Sequence, residues 1–288
     1  MAMSRTVRRW WGVRLAGAVV VALAAPLPHA GAALAAPLPH AGAAVAGTAL
    51  GDGDVLVART AQDYTYRTYQ RRWSVVAVQP AATADWDLTL RDAGGVTLAT
   101  SWLGVGRTDF VVVDSTAGHR PFGGYTASVS AYAPGPYWVQ QRTDTTTLTL
   151  PPVTHSGTTG AADPDLAFSS LVDHEVVTVA DLHLTAGESF WANTTTAASS
   201  LLLAESDPAD PATFVQSRAT VAARQHTQVL DGCTLYTAQR TGWHALVQIG
   251  DRPPSTHVPT QGTGYALHRV DPARPLSCPQ REFPGPTP

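Results

Sequence analysis

Short runs of Val, Thr, Leu, Tyr and Trp, separated by Gly, Pro, Asp and Ser, make up the chain from residue 55 onward. Runs of this length that end at turn-forming residues are typical of β-strands. The clearest runs are RWSVVAVQP, DWDLTLRDAGG, TDFVVVDS, YTASVSAYAPG and TTTLTLPP. In the second of them hydrophobic and polar residues alternate, which predicts that Trp86, Leu88 and Leu90 face one side of a sheet. Because no helical period of useful length occurs outside the first 25 residues, and 212–226 is interpreted as strand and loop, the pattern predicts an all-β protein.

A fainter pattern repeats at an offset of 117 or 118 residues. The repeated landmarks are the pairs Trp73 and Phe190, Asp114 and Asp231, and Gly124 and Gly242. Constant offsets indicate duplication of a unit of about 115 residues. Two units of this size with many short strands predict two tandem antiparallel β-sandwiches of jelly-roll-like form, each long enough to bury a core.

The composition of the chain divides it into five segments. A boundary is predicted where Pro, Gly and Thr are concentrated, because such stretches are typical of linkers. The segments are a signal peptide with a duplicated low-complexity stretch (1–46), a first β-sandwich (51–150), a linker (151–167), a second β-sandwich (168–272) and a Pro-rich tail (273–288).

The N-terminal segment has the pattern of an export signal, in which arginines precede the apolar run from Leu15 to Ala25. This run is too short to span a membrane, which takes about 20 residues. Small residues offer cleavage sites after Ala24, Ala35 or Ala46. The general secretory route is favoured over twin-arginine export, and the mature chain is expected to be secreted and without a membrane span. The phrase LAAPLPHAGAA occurs twice without change in this segment, which indicates recent duplication under weak constraint.

Charge excludes one class of function. The chain carries 19 basic residues, all arginine, and 22 acidic residues, for a net charge of −3. Removing residues 1–46 removes four arginines and no acids, so the mature chain would carry −7. Binding to nucleic acid requires clustered basic residues, so no nucleic-acid partner is expected.

The two cysteines of the chain, Cys233 and Cys278, are predicted to form one disulfide. An isolated pair in an exported protein is typically oxidised. Closing the loop of about 45 residues between them would stabilise the fold by roughly 4 kcal/mol. We expect this bridge to pin the Pro-rich tail to the body of the protein.

The sequence offers few candidates for a functional site. We find no zinc-ligand spacing, nucleophile elbow or phosphate-binding glycine loop, so no catalytic residue is proposed. Trp102, beside a glycine-rich turn, and Trp138 are candidate binding residues, because exposed aromatic rings stack on sugar rings. Asp85 and Asp87 share a face at i and i+2, and are weak candidates for calcium ligands; no other cofactor is expected.

The order of strand motifs resembles that of bacterial pre-peptidase C-terminal domains, which are sandwich modules appended to secreted proteases. WSVVAV, DWDLTL, GGYTASV and PYWV carry the resemblance in the first unit, and TAGESFWAN, LLLAE, GWHALV and GYALHRV carry it in the second. The second unit lacks the Asp-x-Asp motif, and no protease domain accompanies either unit. The resemblance implies a non-catalytic module that aids secretion, stability or substrate attachment.

These observations predict a secreted, non-catalytic binding or structural module. It would act on an extracellular polysaccharide or other polymer, a cell envelope or a partner protein. Two alternatives remain open: a secreted hydrolase whose site forms only in three dimensions, and a calcium-stabilised structural module.

Overall fold

Strands dominate the computed structural model of the protein. The structure describes residues 47–68, 73–115, 123–143, 147–148, 150, 169–171, 175–194, 199–230, 233–250 and 263–270. The strands of the first half are β1 (Thr48–Ala49), β2 (Val55–Ala58), β3 (Gln62–Arg67), β4 (Trp73–Pro80), β5 (Asp85–Arg91), β6 (Thr97–Ser101), β7 (Asp109–Asp114), β8 (Gly124–Ala133) and β9 (Tyr137–Thr143). The later elements are β10 (Thr147–Leu148), β11 (Ser169–Leu171), β12 (Val177–Leu184), β13 (Ser189–Thr194), β14 (Ser199–Glu205), a 3₁₀ turn (Pro211–Thr213), β15 (Val215–Ser217), helix α1 (Arg218–Arg224), β16 (His226–Leu230), β17 (Cys233–Thr237), β18 (Gly242–Gly250) and β19 (Thr263–Arg269).

The strands form four sheets, and the predicted all-β sandwich fold is confirmed. Sheet I has the order β1-β3-β8-β5-β6, and sheet II has the order β15-β7-β4-β9-β2. Sheet III has the order β10-β12-β18-β14, and sheet IV has the order β11-β19-β13-β17-β16. All pairings are antiparallel except β1 with β3 and β10 with β12. No helix in the described part of the chain is long and apolar enough to cross a membrane.

The strand order of the first half recurs in the second. The order β1-β3-β8-β5 of sheet I matches β10-β12-β18-β14 of sheet III, including the parallel first pair. The order β7-β4-β9-β2 of sheet II likewise matches β17-β13-β19-β11 of sheet IV. Duplication of one unit explains this equivalence directly.

The structure refines which aromatic residues correspond between the halves. Phe190 packs in the core between sheets III and IV, whereas Trp73 packs on the opposite face of its sheet, against sheet III. Since neighbouring residues of a strand face opposite sides, Trp191 lies on the face of sheet IV that points away from the core of its own sandwich, as Trp73 does in sheet II. The better match for Trp73 is therefore Trp191, at the offset of 118 that Gly124 and Gly242 also show.

Three hydrophobic cores separate the four sheets. Trp86, Leu88 and Leu90 pack with residues of sheet II in the first core, as the alternation predicted. The second core lies between sheets II and III, and joins Trp73 and Phe110 to residues of β12, β14 and β18. The third core lies between sheets III and IV. The two sandwiches therefore share a buried face, in addition to the core that each contains.

Sheets II and III are buried on both faces because of this stacking. Every residue of β4 and of β7 is buried, and their sequences WSVVAVQP and DFVVVD are apolar on both faces of the strand. A near-continuous apolar run is typical of a strand that is covered on both sides.

Two strands cross the predicted boundary between the units. β15 lies between β14 and β16 of the second sandwich in the chain, yet it pairs with β7 at the edge of sheet II. β10 precedes the predicted linker, yet it pairs with β12 in sheet III. The division at 151–167, with sandwiches at 51–150 and 168–272, stays a prediction of the sequence, to which the structure adds that β10 pairs as the counterpart of β1 and that β15 pairs with the other half.

The interpretation of 212–226 as strand and loop was wrong for residues 218–224, which form helix α1. The hydroxyl of Ser217 caps this helix by accepting a hydrogen bond from the Thr220 amide at 3.4 Å. Val221 is buried in the second core and anchors the helix. Two turns are too short to display a helical period, which explains why the sequence pattern did not indicate a helix.

Polar side chains of sheet II satisfy the backbone of sheet III at the shared face. The side-chain oxygen Oε1 of Gln140 accepts hydrogen bonds from the backbone amides of Val176 at 2.7 Å and Val177 at 3.0 Å. The backbone carbonyl of Gly250 accepts hydrogen bonds from the side-chain amide of Gln79 at 2.7 Å and from the Thr108 hydroxyl at 2.5 Å. Buried polar groups cost free energy unless they are paired, so these bonds fix how one sandwich sits on the other.

We expect the substitution Phe110→Ala to lower the free energy of unfolding by about 3–5 kcal/mol, because it leaves a cavity in the shared core. Urea unfolding, followed by fluorescence and circular dichroism, should show one transition for both halves in the wild type and in this variant. The matched control is Val57→Ala, a 61% exposed position in the same sheet, for which a change below about 0.5 kcal/mol is expected. Two separate transitions, only one of which moves in the Phe110 variant, would contradict the shared core.

Candidate functional site

A groove with a volume of about 450 Å³ opens where the two halves meet at one edge of the stack. Three parts of the chain form its walls: the loop 102–107 between β6 and β7, helix α1, and the strand pair β16–β17, with β14 at its floor. Its lining residues are Leu103, Arg107, Ala192, Ser200, Leu201, Leu202, Arg218, Ala219, Ala222, Gln225, Thr227, Val229, Thr234 and Tyr236. We call this the inter-sandwich groove.

The loop 102–107 is shaped by glycines and presents apolar side chains to solvent. Trp102 is 72% exposed and Val105 is 55% exposed. Gly106 has a φ of +69°, and a Cβ atom there would lie 3.0 Å from the carbonyl oxygen of Ala82, so the turn requires glycine. Val229, a lining residue from β16, is also 72% exposed. The groove is thus bordered by apolar surface that the fold leaves uncovered.

Two arginines line the groove in different environments. Arg107 is exposed on the loop, whereas Arg218 is buried at the start of α1. The Nη1 atom of Arg218 donates a hydrogen bond to the carbonyl oxygen of Thr108 at 2.7 Å. This bond ties the helix to the end of the loop, so the two walls keep a fixed separation.

The floor of the groove is held by hydrogen bonds to β14. The Tyr236 hydroxyl donates to the carbonyl oxygen of Leu201 at 2.6 Å, and the amide of Leu203 donates to the Gln225 side-chain oxygen at 3.3 Å. The ring of Tyr236 and the side-chain amide of Gln225 are therefore oriented before any ligand binds. Preorganised walls reduce the entropy lost on binding.

Asp109 is a buried carboxylate behind the groove. It is fully buried, and its Oδ1 atom accepts a hydrogen bond from the Ser101 hydroxyl at 2.5 Å. The pKa of Asp109 is raised from its ordinary 3.8 to about 6, chiefly by burial and then by the nearby charge of Asp87. Hydrogen bonds from Ser101 and the Leu103 backbone, and the positive charge of Arg218, act in the opposite direction. Asp109 thus titrates in a mildly acidic range while inaccessible to a ligand.

The structure places the two candidate tryptophans differently. Trp102 is exposed on the loop 102–107 and is not itself a lining residue of the groove, whereas its chain neighbour Leu103 is. Trp138 lies in β9 and packs, partly buried, against the core between sheets II and III. A further tryptophan, Trp243, is 44% exposed and contacts the His183 ring edge-on at 5.1 Å.

The carboxylate pair considered for calcium is only partly accessible. Asp85 is 6% exposed, and Asp87 is half-buried in the same strand. Partial burial and then the charge of Asp85 raise the pKa of Asp87. Among the described residues no group of three or more His, Cys, Asp or Glu side chains could hold a metal ion. Calcium binding at this pair stays a prediction.

Sequence reasoning did not single out Arg107, Arg218 or the walls of the groove. The segment SWLGVGRTD did contain one indication, since it places an arginine five residues after the exposed tryptophan in a glycine-rich loop. The remaining lining residues come from distant parts of the chain, and only the fold brings them together.

Comparison with known proteins does not identify a family. No family model matches the chain, and no curated protein matches it. Two of the similar solved structures are the PBSX exported protein XepA and AerE from Microcystis aeruginosa. XepA is 12% identical with a TM-score of 0.22, and the match covers 74% of this chain and 84% of that chain. AerE is 9% identical with a TM-score of 0.20, over 74% and 84% of the two chains. Neither likeness carries an argument about function.

We expect the substitution Asp109→Asn to remove a pH dependence of stability. Because the pKa of Asp109 is higher in the folded than in the unfolded chain, the folded state is favoured when this group is protonated. The stabilisation that comes from protonated Asp109 is complete below about pH 4. About 3 kcal/mol of the free energy of unfolding is lost as the pH rises from there through 6. The variant cannot titrate, so its stability relative to the wild type should rise between pH 4 and 6.5.

Urea unfolding at pH 4, 5, 6 and 7 measures this difference. The control Ser101→Ala keeps the carboxylate but removes a hydrogen bond that lowers its pKa, so the loss should move to higher pH. A difference between Asp109→Asn and wild type that is the same at pH 4 and pH 7 would refute the assignment.

Proposed function

We propose that this protein is a secreted, non-catalytic binding module that holds an extracellular glycan chain in the inter-sandwich groove. The observation that carries the proposal is Trp102, which is 72% exposed and precedes Leu103, a residue that lines the preformed groove. An exposed aromatic ring beside a groove is positioned to stack on a ligand that binds there.

The chemistry of the walls supports a sugar ligand. An aromatic ring stacks on the apolar face of a sugar, and hydroxyl and amide groups then bond its hydroxyls. The groove offers such groups on Ser200, Gln225, Thr227 and Thr234. Ala219, Ala222 and Thr227 are exposed on the walls, which suits a chain that passes along the groove.

The lining also favours binding over hydrolysis. General acid–base hydrolysis of glycosides requires a pair of carboxyl groups beside the bound sugar. The described lining residues include no Asp, Glu, His or Cys. Asp109, the nearest carboxylate by chain position to the loop, is fully buried.

Secretion rests on residues 1–46, which lie outside the described residues. The positive N-terminal region, the short apolar run and the small-residue cleavage sites support export. The resemblance to pre-peptidase C-terminal domains supports the same role of attachment outside the cell. Secretion and attachment outside the cell are therefore parts of the proposal.

The predicted disulfide and the tail 273–288 belong to the proposal as well. Cys233 is 1% exposed, and alternation along β17 puts it on the same face as Leu235, which pairs with Trp191. Trp191 is 1% exposed, yet the three cores formed by described residues do not include it. A tail tethered through Cys278, which lies outside the described residues, would cover this outer face of sheet IV.

Replacing Cys278 by Ser tests the bridge. We expect the free energy of unfolding to fall by roughly 4 kcal/mol, because the unfolded chain regains the entropy that the loop closure removes. Mass spectrometry of the wild type without reductant should show a linked pair of peptides, and reductant should reproduce the stability of the variant. Two free thiols in the purified, exported protein would disprove the bridge.

The substitution Trp102→Ala tests the binding site. We expect it to weaken binding to a retained polysaccharide at least tenfold, because stacking of the ring on a sugar is lost. Affinity electrophoresis and pull-down on a panel of soluble and insoluble polysaccharides measure the effect. Trp243→Ala is the matched control, since neither this exposed tryptophan nor either of its chain neighbours lines the groove, and its loss should leave binding unchanged. Equal binding by both variants would overturn the proposed site.

A further inference from the structure

The charge of the inter-sandwich groove points to a narrower class of ligand. Its described lining includes two arginines and no acidic side chain. The mature chain, in contrast, would carry a net charge of −7. The groove is therefore a local positive region on a negative body, which disfavours nonspecific contact with polyanions elsewhere.

Arg107 is available for a ligand. It is exposed on the loop that carries Trp102, and although its backbone amide bonds the Gly104 carbonyl, its guanidinium forms no hydrogen bond or ion pair with a described residue. Other arginines are engaged: Arg142 pairs with Glu175 at 2.5 Å, and Arg240 pairs with Asp207 at 2.6 Å. A free guanidinium presents five N–H donors in a planar fork that matches a carboxylate or phosphate.

Arg218 adds a second positive charge to the groove. Its side chain is 6% exposed and held by the bond to the Thr108 carbonyl, so it contributes a fixed positive charge to the groove. Asp109 partly offsets this charge from the buried side, but it is fully buried and does not reach the groove surface. An anionic ligand thus encounters the exposed guanidinium of Arg107, the charge of the buried Arg218 and no carboxylate among the described lining residues.

We propose that the ligand is an anionic glycan, with Trp102 stacked on a sugar ring and Arg107 paired with an acidic group of the chain. This inference rests on the proposed function and adds to it the charge of the ligand. The acidic group is a carboxylate or a phosphate, since both fit the guanidinium fork. A glycan is favoured over an acidic peptide, because the ring and the surrounding hydroxyl groups suit sugar faces.

The test compares polymers that differ only in charge. Polygalacturonate is measured against its methyl-esterified form, and phosphorylated dextran is measured against dextran, by titration calorimetry on the full mature protein. We expect the charged member of at least one pair to bind at least tenfold more tightly than its neutral partner. The pair that shows this difference identifies the acidic group as carboxylate or phosphate.

Variants assign the effect to a residue. Arg107→Ala should lower affinity for the charged polymer at least tenfold and weaken its dependence on salt, while Arg107→Lys should restore part of the affinity. Arg59→Ala is the matched control, because Arg59 is exposed beside β2, at the edge of sheet II opposite β15. Unchanged melting temperatures show that the variants are folded.

The outcomes separate the two proposals. If charged and neutral polymers bind equally, and Trp102→Ala still abolishes binding, the anionic ligand is wrong while the glycan site stands. If charged polymers bind but neither Trp102→Ala nor Arg107→Ala matters, both proposals fail. If no charged polymer binds, the anionic ligand is overturned.

Discussion

The structure depends on the burial of apolar side chains between sheets II and III. Trp73 and Phe110 from one sandwich pack there with Val177, Val247 and Ile249 from the other. Each sandwich also has a core of its own, so sheets II and III must be apolar on both faces. The loop 102–107 and helix α1 come from different halves, and they face each other because this shared core brings the halves together.

Directional hydrogen bonds fix the position of sheet II relative to sheet III, which hydrophobic burial alone does not specify. Hydrophobic burial alone would tolerate sliding of one sheet on another, whereas the bonds from Gln140 and Gln79 to backbone groups of sheet III would be lost by such a shift. The bond from Arg218 to the Thr108 carbonyl extends the same constraint to the groove. The proposed site is thus a consequence of the interface between duplicated units, since neither unit alone supplies both walls.

Local patterns in the sequence predicted much of the fold. Period-two alternation identified β5, and constant offsets indicated two equivalent units, because both signals lie in neighbouring or regularly spaced residues. The unbroken apolar runs of β4 and β7 also signalled burial on both faces, but the prediction of two sandwiches assigned them one core each. Helix α1 and the return of β15 to sheet II could not be predicted, since two turns and three residues carry too little pattern. Trp102 was identified from its glycine-rich neighbourhood, whereas the groove beside it depends on contacts between residues far apart in the chain.

Hydrogen–deuterium exchange with and without a bound anionic glycan tests the central claim most directly. The groove account predicts that the ligand slows exchange in three separate segments together: the loop 102–107, helix α1, and the strand pair β16–β17. The outer face of sheet I, represented by β3 and the middle of β8, should exchange at an unchanged rate. Protection confined to sheet I, or to one half of the protein without the other, would contradict a site formed between the two sandwiches.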